Sequence, residues 1–104
     1  MNIYKVSQNV NVEDWGKYDS VIVVAENEYT ARLIHPEFTW ERINTDPNLT
    51  LNQKLVKAWC GNMIQLESWW TKFEDVDSLK VEYLGKADKS LETTLVLLGS
   101  FNAV

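Results

Sequence analysis

The fold is decided by the stretch Asp19-Ser20-Val21-Ile22-Val23-Val24-Ala25. Valine and isoleucine are stiff at χ1 and pack well on a pleated surface. A short apolar run of this kind predicts a central strand that is buried on both faces. Residues 3–8 are also rich in strand formers. We expect them to pair with the central strand as an antiparallel hairpin, across a loop at residues 9–18.

Two further strands are predicted near the other end of the chain. Residues 79–85 at first alternate apolar and polar side chains, which indicates a half-exposed strand. Residues 93–101 form a second apolar stretch, predicted to be buried along most of its length. The polar residues 86–92 between them predict a turn, so we expect a second hairpin.

The segment between the two strand pairs carries helical signals. Asn27 is a predicted N-cap, and the helix is expected to run from Glu28 to Ile34 and to end before Pro36. Residues 36–50 are predicted to be irregular. Apolar residues then recur every three or four positions. They are Leu51, Leu55, Trp59, Met63, Leu66, Trp70 and Phe73.

Gly61 interrupts this helical stripe, and we expect the helix to break near Cys60–Asn62. The predicted order is therefore β-β-α-α-β-β. The sequence indicates one α+β domain over residues 1–104, with a four-stranded, mainly antiparallel sheet and helices packed on one face. The order of the strands within the sheet stays open.

The charge balance argues against a nucleic-acid binder. Ten basic and 15 acidic residues give a net charge of -5. Non-specific affinity for nucleic acid comes from lysine and arginine, and three basic residues cluster nowhere in the sequence. The apolar runs are too short to span a bilayer. The single cysteine permits no internal disulfide, which suits a cytoplasmic protein.

Few residues offer catalytic or metal-binding chemistry. His35 and Cys60 are one candidate nucleophile–base pair. We favour structural roles instead: His35 bonding a carbonyl at a helix end, and Cys60 as a small buried apolar residue. Glu74, Asp75 and Asp77 lack calcium-loop spacing and indicate a solvated acidic turn. The sequence thus predicts no enzyme, no cofactor and no metal site.

Tryptophan is the most unusual feature of the composition. The chain has five, where average usage predicts about one. Trp59 and Trp70 lie on the helical stripe and are predicted core residues. Trp15 and Trp40 lie in predicted loops, and Trp69 points away from the stripe. Because tryptophan is enriched at interfaces, these three are the predicted binding residues.

Several stretches resemble a family of small uncharacterised proteins of bacteria and their phages. They are Tyr4-Lys5-Val6-Ser7-Gln8-Asn9-Val10-Asn11, then Tyr18-Asp19-Ser20-Val21-Ile22-Val23-Val24-Ala25 with Ala31-Arg32 and Ile34-His35-Pro36, then Leu79-Lys80-Val81 with Leu84-Gly85-Lys86-Ala87, and finally Leu97-Leu98-Gly99-Ser100-Phe101-Asn102-Ala103. Residues 37–78 depart from the pattern. The resemblance implies a phage or mobile-element origin, and with it action against a host defence protein from within the host cytoplasm.

Three functional hypotheses follow. The leading one is a non-enzymatic binding protein that inhibits a host protein by occupying its surface. The alternative is a module that sequesters a small molecule such as a nucleotide-type signal, with Lys17, Arg32 and Arg42 as candidate phosphate partners. The third is a homo-oligomer that covers the open parts of the sheet. It is compatible with either of the others.

Overall fold

A computed structural model describes residues 1–8 and 17–102 of the chain. The α+β fold is confirmed: four antiparallel strands form one sheet, in the order β3-β1-β2-β4. The strands are β1 (Asn2–Ser7), β2 (Lys17–Ala25), β3 (Lys80–Lys86) and β4 (Val96–Asn102). The hairpin of β1 and β2 is confirmed, with Tyr4 opposite Val23. Most of the predicted loop at 9–18 lies outside the described residues.

The predicted second hairpin is wrong, because β3 and β4 lie at opposite edges of the sheet. Val81 of β3 is opposite Val6 of β1, and Leu98 of β4 is opposite Ile22 of β2. The physical reason is that the central hairpin has two edges with unpaired backbone groups. Strand β3 pairs with the free edge of β1, and β4 pairs with the free edge of β2.

The helices largely follow their sequence signals. They are α1 (Glu28–Leu33), α2 (Trp40–Ile43), α3 (Leu51–Gly61) and α4 (Met63–Glu67), with 3-10 turns at Phe73–Ser78 and Lys89–Leu91. Asn27 caps α1 by accepting a hydrogen bond from the Thr30 N–H at 2.9 Å. The helix break predicted at Gly61 is confirmed. Helix α2 lies in a segment predicted to be irregular, and the Thr39 hydroxyl caps it by accepting from the Arg42 N–H at 3.2 Å.

The core lies between the helices and one face of the sheet, which we call the inner face. Trp59 and Trp70 are buried there, at 0% and 1% exposure, so both predictions of core tryptophans are confirmed. The Trp59 indole N–H donates to the Leu33 carbonyl at 2.8 Å, which ties α3 to the end of α1. From the sheet, the inner face contributes Tyr4, Val6, Val21, Val23 and Ala25.

The opposite, outer face of the sheet carries none of the described helices. One row of residues crosses it in the order Glu82, Lys5, Ile22, Leu98, from β3 through β1 and β2 to β4. This row runs from charged to apolar. Leu98 is 63% exposed and Leu97 is 41% exposed. The expectation that the last strand is buried along most of its length is therefore wrong, because β4 is an edge strand whose outer side chains meet no helix.

We predict opposite effects on stability for alanine at two glycines. A Cβ at Gly99 would lie 2.9 Å from Tyr18 Cε1, and the Tyr18 hydroxyl is held by a 3.0 Å hydrogen bond to Glu37. Gly99→Ala should lower the free energy of unfolding by about 1–3 kcal/mol through overpacking. Gly61→Ala, the matched control, meets open space in α3 and should raise it by about 0.5–1 kcal/mol.

Denaturant unfolding of both variants measures these changes. If Gly99→Ala were as stable as the original chain, the close approach of Tyr18 to β4 would be contradicted.

Candidate functional site

Of the three tryptophans predicted to bind, the structure describes two. Trp15 lies outside the described residues. Trp40 is half-buried at the start of α2, with the Lys54 ammonium 5.5 Å from its ring centroid. Trp69 is also half-buried, and its carbonyl accepts a hydrogen bond from the Tyr18 N–H at 3.1 Å.

Trp40 and Trp69 lie near opposite ends of the β2–β4 ladder. Trp40 lines a small pocket with Val96, whose partner on β2 is Val23. The Trp69 carbonyl bonds to the N–H of Tyr18. Tyr18 precedes Val23 by five residues on β2, a separation of about 17 Å in an extended strand. The structure therefore does not bring these two indoles into one site. Their roles in binding stay predictions.

The candidate pair of His35 and Cys60 does not have catalytic geometry. His35 is 0% exposed, and both ring nitrogens are engaged by the backbone. The Glu37 N–H donates to Nδ1 at 2.9 Å, and Nε2 is 2.8 Å from the Leu66 carbonyl. Nδ1 is thus the acceptor, and Nε2 carries the proton it donates to Leu66. The ring has no free nitrogen to activate a thiol.

Cys60 lies on the surface of α3 as a free, exposed thiol, so the prediction that it is buried is wrong. The helical stripe contains Leu55 and Trp59, which are both 0% exposed. Cys60 follows Trp59 directly, and adjacent helical residues point about 100° apart. Cys60 therefore faces solvent, although its neighbour Trp59 lies in the core.

The acidic residues behave as a solvated turn. Glu74, Asp75 and Asp77 are all exposed in the 3-10 turn that precedes β3. Within residues 1–8 and 17–102, no three histidine, cysteine, aspartate or glutamate side chains are arranged to hold a metal ion. Over the same residues, no helix is both long enough and apolar enough to cross a bilayer.

A cleft of about 540 Å³ opens where β1 ends and β2 begins. Gln8 forms part of its wall: its side-chain carbonyl accepts from the Thr71 hydroxyl at 2.8 Å, and its amide donates to the Tyr18 carbonyl. The remaining lining residues are Lys17, Glu67, Trp70, Lys72, Asp75, Ser78 and Leu79. The lining comes from separate segments of the chain, so the cleft has no contiguous sequence motif.

Sequence reasoning also missed the exposed apolar half of the outer face. Ile22 and Leu98 are cross-strand partners on that face. Ile3 lies beside them, paired with Val24, whose own side chain is buried. The available signal was the doublet Leu97-Leu98. Adjacent residues of a regular strand point to opposite faces, so two leucines in succession suggest that one of them faces away from the helices.

We predict that His35 makes stability depend on pH. Burial, the largest cause, lowers its pKa from 6.5 to about 4; the Arg42 charge acts in the same direction, while the bond to Leu66 opposes them. The neutral ring is favoured by folding, so its contribution is complete above pH 6.5 and declines as the pH falls towards 4. The loss should approach about 3 kcal/mol.

The free energy of unfolding, measured from about pH 7 down to about pH 4, checks this prediction, because this range spans the pKa of the unfolded imidazole, 6.5, and that of the folded one, about 4. His35→Gln is the control, because it retains every carboxylate but has no imidazole. The original chain should lose more stability on acidification than the variant does. Equal losses in both would rule out the buried neutral ring.

Comparison with protein-family models, curated proteins and solved structures finds no match. A function for this chain therefore has to come from the chemistry of its own surfaces. Two of those surfaces stand out: the apolar half of the outer sheet face, and the cleft beside Trp70.

Proposed function

We propose that this chain is a non-enzymatic binding protein that inhibits a host protein by occupying its surface. The observation that carries the proposal is the apolar half of the outer sheet face. We call this patch the β2–β4 surface and define it by Ile3, Ile22 and Leu98.

The shape of the sheet suits this role. The four strands present the β2–β4 surface on a rigid hydrogen-bonded platform, so little ordering entropy opposes binding there. Contiguous exposed apolar residues on a small domain commonly mark an interaction site. The row towards β3 ends in Lys5 and Glu82, which gives the patch the polar border typical of interfaces. A partner that presents a complementary apolar patch fits this surface.

Binding to a defence protein of the host is the biological setting that the sequence resemblance supports. The four matching stretches include most of β2 and most of β4. These are the two strands that form most of the β2–β4 surface. The resemblance therefore covers the part of the chain that carries the proposal.

Two of the three cations considered for nucleotide binding already have partners. Arg32 lies 3.5 Å from Glu28 in an exposed i,i+4 ion pair. The Arg42 guanidinium lies over the Phe38 ring, 5.7 Å from its centroid. Lys17 alone of the three lines the cleft. A site built from all three is thus not supported, and surface binding is the better proposal.

We predict that Ile22→Lys abolishes capture of the partner. The substitution places a charge in the centre of the β2–β4 surface and should weaken binding about tenfold or more, which corresponds to about 1.4 kcal/mol. The matched control is Ile64→Lys, because Ile64 is 91% exposed on α4 and is not part of the surface. The measurement is affinity capture from host lysate, followed by titration of the purified partner.

Loss of capture with Ile22→Lys and retention with Ile64→Lys would support the proposal. Equal capture by both variants would contradict it. Sedimentation of the chain alone separates a further outcome: a dimer that Ile22→Lys dissociates would assign the surface to self-association. Trp40→Phe and Trp69→Phe, tested in the same assay, determine whether either indole contributes.

A further inference from the structure

We propose that the cleft beside Trp70 binds a small molecule through an anionic group, a phosphate or a carboxylate. The cleft lies at the ends of β1 and β2 and is lined by none of the residues of the β2–β4 surface. The inference therefore goes beyond the proposed function and does not depend on it. Its volume, about 540 Å³, lies within the range of about 300–1,000 Å³ found for small-molecule sites.

Two ammonium groups line the cleft, and among residues 1–8 and 17–102 neither has a carboxylate within ion-pair distance. Within the described part of the chain, neither Lys17 nor Lys72 forms an ion pair at the 4.0 Å limit. Two carboxylates, Glu67 and Asp75, line the same cleft, and one oxygen of Glu67 accepts the Phe73 N–H at 2.9 Å. Neither carboxylate is within ion-pair distance of the two lysines in the described residues. Lysine is a common phosphate binder, where it acts as a point charge. The two lysines are thus available to an anionic ligand.

Trp70 provides an independent observation. The residue is 1% exposed, and its indole N–H has no hydrogen-bond partner in the residues that the structure describes. A buried donor without an acceptor is destabilising, and such groups call for a specific explanation. Trp70 lines the cleft, but its N–H is shielded from solvent, so the proposal requires that ligand binding opens the wall of the cleft to this N–H. An oxygen of the bound anion would satisfy it.

The remaining polar groups indicate what the rest of the ligand carries. The Thr71 hydroxyl gives its proton to Gln8, and the Ser78 hydroxyl gives its proton to the Asp75 carbonyl at 2.6 Å. The lone pairs of both oxygens are therefore free to accept hydrogen bonds. A ligand with hydroxyl or amine donors next to its anionic group fits this arrangement, and a nucleoside monophosphate has both features.

The indole protons report binding directly. In a ¹H–¹⁵N correlation spectrum of the full chain, the Trp70 Nε1–H peak is the one that Trp70→Phe removes. Titration with AMP, inorganic phosphate or acetate should move this peak downfield as the N–H gains an acceptor. Adenosine has no anionic group and should leave it in place. A response to acetate without one to phosphate would identify a carboxylate as the anion, and the reverse would identify a phosphate.

Charge variants complete the test. Lys17→Gln and Lys72→Gln should each raise the Kd of the anion that binds by about tenfold or more. Lys57→Gln is the matched control, because Lys57 is exposed on α3 and does not line the cleft. The proposal is overturned if no anion moves the Trp70 peak, if adenosine moves it equally, or if Lys57→Gln weakens binding as much as the other two. These titrations use the purified chain without a protein partner. A negative result would therefore contradict the anion site and would leave the proposed binding function untouched.

Discussion

Helices cover only one face of the four-stranded sheet in the described chain, and the rest of the structure follows from this constraint. Every second side chain of β2 is driven inwards, where Val21 and Val23 meet the aromatic layer around Trp59. That layer is fixed by polar groups as well as by packing. The Trp59 N–H and the His35 ring each bond to a backbone carbonyl on a neighbouring segment. Because all of this material lies on the inner side, the outer face leaves Leu98 exposed and Ile22 partly exposed, although Val24 is buried.

The sequence predicted well those features that depend only on residues close together in the chain. The run at residues 19–25 predicted β2 with an error of two residues at its start. Asn27 capped its helix as its side-chain chemistry requires, and Gly61 ended α3 where expected. Helix α2 was missed because four residues are too few to show a helical period. The Thr39 cap was its only sequence signal.

Long-range pairing could not be predicted in the same way. Both β3 and β4 have the composition of strands, and their closeness in sequence favoured a hairpin. The choice between a hairpin and two separate edges depends on which edges of the central pair stay unsatisfied, and no local pattern contains that information. His35 shows the same limit on a smaller scale. Its bond to a carbonyl was expected, but the acceptor is Leu66, which is 31 residues away. The cleft also joins distant segments, so it could be found only in three dimensions.

The strand order also affects how the polypeptide reaches its native state during synthesis. Strands β1 and β2 leave the ribosome before β3 and β4, but they occupy the middle of the sheet, and their flanking partners begin only at Lys80 and Val96. Until β3 and β4 emerge, the nascent hairpin therefore has two bare edges and an apolar inner face. Such intermediates are prone to aggregate. The helices between residues 28 and 67 emerge before either flanking strand, so early docking of these helices would shield the hairpin until its neighbours arrive.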